Sequence, residues 1–222
     1  MIRDNSAFSV NVLNNNNRAI IVFYIFLVKI SYSLPIYFLS FSKENYFWLH
    51  GLKTIYSIEY WLETIHFFLL IFCVIFFIRW FFTAYYNLSV LNKLKSKTNP
   101  DIAIYSWFIP FYNIYKPFLI MKEIWYKTQE LVIEEPANTN NIKSANIIII
   151  WWILFWLNYF NLSISSNIRE HFKYSFLFIL YACIINLSTL IVTLIMIYKT
   201  KNIEKKLYHK YIENLNELPK NE

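Results

Sequence analysis

Long apolar stretches separated by short charged segments dominate this chain. Two of them, 144–168 and 174–198, contain no Lys, Arg, Asp or Glu, and two others are each interrupted by one basic residue, Lys29 and Arg79. An apolar run of about 20 residues can cross the hydrocarbon core of a bilayer as a helix. The pattern therefore predicts an all-α membrane protein with about four transmembrane helices, at 19–42, 62–82, 144–168 and 174–198.

Three further segments carry patterns of their own. The apolar stretch 102–115 is too short to span and is interrupted by Pro110, which is typical of a re-entrant or interfacial segment. Residues 117–132 alternate apolar and basic positions at helical spacing, which predicts a cytoplasmic amphipathic helix on the inner leaflet. The tail 199–218 has apolar residues every fourth position and predicts another amphipathic helix, docked on this protein, on lipid or on a partner.

The distribution of basic residues predicts the orientation in the membrane. Lys is concentrated between the second and third predicted spans and after the last one, whereas the segment 43–63 has three Glu against two Lys. Loops rich in Lys and Arg stay in the cytoplasm. We therefore expect a multi-pass protein with both termini and the central segment in the cytoplasm.

Composition excludes several classes of protein. The chain is 57% hydrophobic and 16% charged, so residues 1–222 form one integral membrane domain without a separate soluble unit. Its single glycine, Gly51, rules out Gly-rich phosphate loops, dinucleotide fingerprints and Gly-flanked serine elbows. The net charge of +7 comes from residues beside the spans, which indicates contact with the lipid bilayer and not with nucleic acid. No cofactor is expected.

The central segment, 79–127, resembles a known family. Its pattern begins with Arg79 and Trp80, continues through Tyr85-Tyr86-Asn87-Leu88 and Ala103, and reaches Trp107-Phe108-Ile109-Pro110, Asn113, Pro117 and Met121-Lys122-Glu123-Ile124-Trp125. This pattern resembles the bacterial multi-pass membrane family catalogued as domain of unknown function 4328. Ser106 stands where a glycine is expected before the Trp. The resemblance implies a bacterial inner-membrane protein and brings no activity, substrate or catalytic residue.

Polar groups of this motif form the first candidate site. At membrane depth such groups are costly unless they are paired. In one interpretation they are structural, with Arg79 paired to Glu123 or Asp101 and with Asn87 and Asn113 capping the broken backbone around Pro110. In the other they line a binding pocket or partner groove on the cytoplasmic face, with the tryptophans as walls. The candidate residues are Arg79, Asn87, Trp107, Pro110, Asn113, Pro117, Glu123 and Trp125.

Two weaker candidates lie in or near the spans. Lys29 falls inside the first predicted span, where a lysine is either satisfied structurally or part of an ion or proton pathway. Its candidate partners are Asn158, Asn161 and Asn186. Glu59, Glu63 and His66 share one helical face, but a complete metal site needs a second such motif, so no metal is expected.

Three functions remain open from the sequence. The leading one is a non-enzymatic interaction or regulatory module that presents its cytoplasmic-face motif to a protein partner or to a second copy. The alternative is a small transporter or channel subunit, which Lys29, Arg79 and the broken segment around Pro110 would suit. The third is a membrane enzyme that acts on lipid.

Overall fold

The computed structural model describes residues 12–45, 53–91, 99–133, 142–172 and 176–217. These residues form six helices and the segments beside them, and no strand occurs among them. The fold is therefore all-α, as predicted. The helices are α1 (Asn16–Asn45), α2 (Lys53–Leu91), α3 (Ile102–Tyr105), α4 (Tyr112–Val132), α5 (Asn146–Phe172) and α6 (Phe176–Glu217).

Three helices, α1, α2 and α6, are long and apolar enough to cross a membrane. The remaining predicted span, 144–168, overlaps α5, whose described apolar part is the shorter stretch Asn146–Asn161. Large apolar side chains such as Phe67, Phe72 and Ile153 are exposed along the middle of these helices. Such a surface suits contact with lipid.

The helices pack in the order α2, α1, α6, α5, and α4 closes one end of the bundle against α2, α5 and α6. The buried core lies at this closed end, where the start of α1, the last turns of α2, the helix α4 and the middle of α6 pack together. Its largest buried side chains include Trp80, Phe81, Met121, Trp125 and Ile197.

Two helix boundaries differ from the sequence prediction. The amphipathic helix begins at Tyr112, five residues before the predicted start at Pro117, and Pro117 lies buried inside it. The tail is not a separate helix, because α6 runs unbroken from Phe176 to Glu217. Its apolar part ends at Tyr198, and the stretch from Lys199 onward is charged and lies beyond the span. No Gly or Pro occurs in α6 to interrupt it.

The predicted re-entrant segment folds as the short helix α3 followed by a turn into α4. Phe111, the last residue of the turn, has a φ of 66°, a left-handed conformation that is unfavourable for a bulky residue. Its side chain is 79% exposed. The turn thus holds an aromatic ring outward at a conformational cost of about 1 kcal/mol or more. Residues 92–98 and 134–141 lie outside the described part of the chain.

Candidate functional site

Three residues from distant parts of the chain meet at the closed end, and we call them the tail junction: Asn15, Trp80 and Glu204. The Asn15 Nδ2 group donates to the Glu204 carboxylate at 2.9 Å and to the backbone carbonyl of Trp80 at 3.2 Å. The Trp80 indole Nε1–H donates to the second Glu204 oxygen at 3.2 Å. The junction therefore ties the residues before α1, the end of α2 and the charged half of α6 together.

Glu204 reaches this position because of its place on α6. It lies four residues after Thr200 and three before Leu207, both of which are buried, so the helical period turns its side chain toward the core. Burial raises the pKa of the Glu204 carboxyl to about 7, and the hydrogen bonds from Asn15 and Trp80 limit the rise. This carboxyl therefore gains or loses its proton near neutral pH.

A second contact fixes the residues before α1. Asn87 on α2 accepts a hydrogen bond from the Leu13 amide at 2.8 Å and donates to the Leu13 carbonyl at 2.7 Å. Asn87 is buried. It thus binds Leu13 and does not cap the turn around Pro110, as one interpretation of the sequence had it.

The second half of α4 fixes the chain where it enters α5. Trp125 donates through its indole to the Lys143 carbonyl at 2.9 Å, and Gln129 accepts from the Lys143 amide at 2.9 Å. The Tyr126 hydroxyl accepts from the Ala145 amide at 3.3 Å. Trp125 and Gln129 are buried, so these bonds help to set the position of α5 against α4.

Glu123 on the same helix connects α4 to α2. It accepts a hydrogen bond from the Tyr85 hydroxyl at 3.2 Å and forms an ion pair with Lys127 one turn further along α4. The expected pairing of Arg79 with Glu123 is therefore wrong. Arg79 is exposed and forms no ion pair with any residue that the structure describes.

Trp107 lies in an aromatic cluster between α2 and α5. Its ring centroid is 5.8 Å from those of Phe77 and Phe81 and 6.0 Å from that of Phe155. The Trp107 Nε1–H is buried without an acceptor among the described residues. Nearby, the Trp152 indole donates to the Ile114 carbonyl at 3.2 Å. The turn before α4 is thus wedged between two long helices.

The three remaining motif residues take no part in the hydrogen bonds and ring contacts described above. Pro110 is exposed, Asn113 is half-buried and Pro117 is buried in α4. The structure therefore places most of the motif in the packing of the closed end and not around one open cleft.

Lys29 has a different partner from those predicted. Its side chain is 4% exposed, and its Nζ lies 3.4 Å from His66 Nε2 on α2, not against Asn158, Asn161 or Asn186. Ser33 lies 3.3 Å from the same His66 nitrogen and donates its hydroxyl proton to the Lys29 carbonyl at 2.8 Å. Since His66 Nε2 cannot both accept from Lys29 and donate to Ser33, the cluster has two alternative proton arrangements.

The metal candidates do not assemble in the described part of the chain. His66 faces Lys29, Glu63 is exposed, and the side chain of Glu59 lies outside the described residues. Within the ranges described, no group of three or more His, Cys, Asp or Glu side chains could hold a metal ion.

Sequence reasoning missed the tail junction. Its one available signal was Glu204, an acidic residue among the apolar positions Ile203 and Leu207 of the tail. Nothing in the sequence marked Asn15 or Leu13, because their partners lie far along the chain.

Comparison with known proteins places these features in a family. The family described as Domain of unknown function (DUF4328) matches residues 54–200, which include α2, the central motif, α5 and the apolar part of α6. No curated protein and no solved structure matches the chain. The chain belongs to the DUF4328 family, as its central motif indicated.

Proposed function

We propose that this protein is a non-enzymatic interaction module of the bacterial cytoplasmic membrane, with both termini in the cytoplasm. The three helices that are long and apolar enough to cross a membrane support the location. The positive-inside distribution of Lys and Arg supports the orientation, which requires that α5 crosses the membrane as a fourth span. In this orientation the closed end of the bundle faces the cytoplasm, and the tail of α6 projects from it.

The tail junction is the observation that carries the proposal. It fastens a helix that continues for 19 residues after Tyr198, a length of about 28 Å. The headgroup region adds only about 5–8 Å to each side of the hydrocarbon core. The distal tail therefore extends beyond the lipid, where a protein can reach it.

The distal tail offers a surface that the bundle leaves uncovered. Leu207 is buried against the bundle, but Leu215, two turns further on, is 45% exposed. Glu213 and Glu217 beside it are exposed. This combination fits a protein partner whose contact surface is apolar at its centre and basic at its rim. The role of the central motif is then to pack against the first part of the tail and fix its position.

The turn between α3 and α4 contacts the inner leaflet in this account. Phe108 and Phe111 are exposed at the turn, and Lys116 and Lys122 follow on α4. An apolar tip flanked by lysines is suited to insertion beneath anionic headgroups. The re-entrant character of this segment and the amphipathic character of α4 belong to the same proposal.

A native pull-down tests the partner surface. The full chain, tagged at Met1, is extracted in mild detergent and compared with Leu215→Glu and with the matched control Asn216→Glu, which adds the same charge one residue away. We expect a stoichiometric partner with the wild type and the control, and its loss with Leu215→Glu. A wild type that purifies as a partner-free monomer, or only as an assembly of its own copies, would refute the proposal.

A second candidate function, a small transporter or channel subunit, is favoured by the Lys29 cluster. A buried lysine inside a membrane span usually marks an ion or proton pathway. Lys29, His66 and Ser33 lie within hydrogen-bonding reach and have two proton arrangements, which a proton-handling site requires. Protein in liposomes carrying a pH-sensitive dye should then conduct protons or ions, and Lys29→Met should abolish the flux. Flux equal to that of empty liposomes would exclude this candidate.

A further inference from the structure

A cavity of about 160 Å³ lies beside the tail junction. Its walls come from the residues before α1, from α2, from α4 and from the charged half of α6. A space of this size would hold about five water molecules. The side chains used below are Val12, Asn15, Ala84, Thr128, Glu204 and Leu207.

One of the residues that line the cavity, Asn15, has an acceptor without a donor. Asn15 is 3% exposed, and no described group donates to its Oδ1. The orientation of this amide is fixed, because its Nδ2 already donates to the Trp80 carbonyl and to the Glu204 carboxylate. An ionised carboxylate has no proton to donate, so the amide nitrogen, and not the amide oxygen, must face it. An unsatisfied buried acceptor costs about 1–3 kcal/mol, so this position calls for a donor.

Glu204 adds negative charge to the lining of the same cavity. Its two carboxylate oxygens accept hydrogen bonds from Asn15 and Trp80, which are both neutral donors. Among the described residues it forms no ion pair. A buried carboxylate is stabilised most by a cation that also donates hydrogen bonds.

We propose that this cavity binds a primary ammonium group, which donates to Asn15 Oδ1 and to the Glu204 carboxylate together. Thr128 also lines the cavity, and its hydroxyl can accept the third N–H. The short carbon chain of the ligand packs against Val12, Ala84 and Leu207. The ligand is either a free small amine or the ethanolamine headgroup of an inner-leaflet lipid, since both carry this group.

The test uses the purified full chain in a detergent without amines and follows its thermal unfolding. Ethylammonium is titrated as the probe, with tetramethylammonium as the control of equal charge that lacks N–H donors. We expect a saturable rise in Tm with ethylammonium and none with tetramethylammonium. No saturable rise, as for a cavity holding only water, or an equal rise with both cations, overturns the proposal.

Variants locate the effect in the cavity. Glu204→Gln and the milder Thr128→Val should weaken ethylammonium binding by at least tenfold and about threefold, while the exposed control Glu130→Gln should bind like the wild type. Thr128→Val keeps the test decisive if Glu204→Gln does not fold. Binding that is unchanged in Thr128→Val and in any folded Glu204→Gln refutes the site.

Lys205 could compete with the ligand for the same acceptors, because it also carries an ammonium group, lines the cavity and is exposed. If ethylammonium binds only after Lys205→Met, the ammonium group of Lys205 occupies the acceptors and the proposal is overturned.

Nanodiscs then distinguish the two sources of the ammonium group, a free amine and a lipid headgroup. If the Tm is higher in phosphatidylethanolamine than in phosphatidylcholine, and ethylammonium no longer raises it there, the ligand is the lipid headgroup. Stabilisation by ethylammonium that is equal in both lipids identifies a free amine. The assay needs no protein partner, so its failure leaves the interaction proposal intact.

Discussion

Asn87 holds Leu13 by both of its backbone groups, accepting from the amide at 2.8 Å and donating to the carbonyl at 2.7 Å. One side chain on α2 thus replaces the hydrogen bonds that the residues before α1 would otherwise make to water. The contact places Asn15 against Trp80, and so positions the tail junction. An asparagine suits this role because its amide offers one donor and one acceptor side by side.

Replacing Asn87 should therefore weaken the whole closed end. We expect Asn87→Ala to leave the Leu13 amide and carbonyl unpaired and to destabilise the protein by about 2–4 kcal/mol. Thermal unfolding in detergent measures the effect, with the exposed Asn202→Ala on α6 as the control. Equal Tm values for the two variants would show that the Leu13 contact contributes nothing.

Two tryptophans of the motif should respond differently to the same substitution. Trp107 Nε1–H has no acceptor among the described residues, so Trp107→Phe should cost only its lost packing, about 1 kcal/mol. Trp125 donates to Lys143 and is buried, so Trp125→Phe should cost about 1–3 kcal/mol more. Parallel unfolding experiments compare them, and a greater loss from Trp107→Phe would contradict this assignment.

Lys29 and His66 should behave as a coupled pair. His66→Phe leaves the Lys29 ammonium in the span without its imidazole partner and should strongly destabilise the protein. The double variant Lys29→Met with His66→Phe removes both polar groups and should recover most of that loss, with a coupling of about 1–3 kcal/mol. A double-mutant cycle on Tm gives the coupling, and simple additivity would mean that the 3.4 Å contact carries no energy.

The raised pKa of Glu204 predicts a specific pH dependence. With its pKa near 7, the folded state binds this proton more tightly than the unfolded chain, whose carboxyl has the usual pKa of 4.5. The stability contributed by Glu204 is therefore complete below pH 4.5, falls as the pH rises to 7 and is constant above it. The total fall is on the order of 3 kcal/mol.

The measurement is the difference in Tm between the wild type and Glu204→Gln from pH 5 to pH 8, since all other titratable groups are common to the two proteins. The Tm of Glu204→Gln should rise relative to that of the wild type as the pH increases, whereas the Tm of the exposed control Glu130→Gln should not. A difference that is independent of pH would mean that Glu204 stays ionised throughout.

The sequence was informative about what depends on local composition. Long apolar runs located α1, α2, α5 and α6, and the spacing around Trp107 and Trp125 identified the family. No Gly or Pro occurs between Phe176 and Glu217, which is why span and tail form one helix and not the two that the charge pattern predicts. These features are encoded within single helices.

Pairings between helices could not be predicted in the same way. The rotation of α1 about its axis decides whether Lys29 faces α2 or the later spans, and a single apolar helix has no strong polar face to fix it. The same limit hid the contact of Asn15 with Glu204, whose residues lie 189 positions apart. Such contacts depend on the completed bundle.

Photo-crosslinking in native membranes tests the central claim most directly. A photoreactive phenylalanine replaces Leu215 at the distal tail or, as the control, the exposed Ile153 of α5. The account predicts one discrete protein adduct at 215, lost when Glu213 and Glu217 are changed to Lys, and lipid adducts alone at 153. Lipid adducts alone at both positions, or a 215 adduct only with a second copy of this chain, would contradict it.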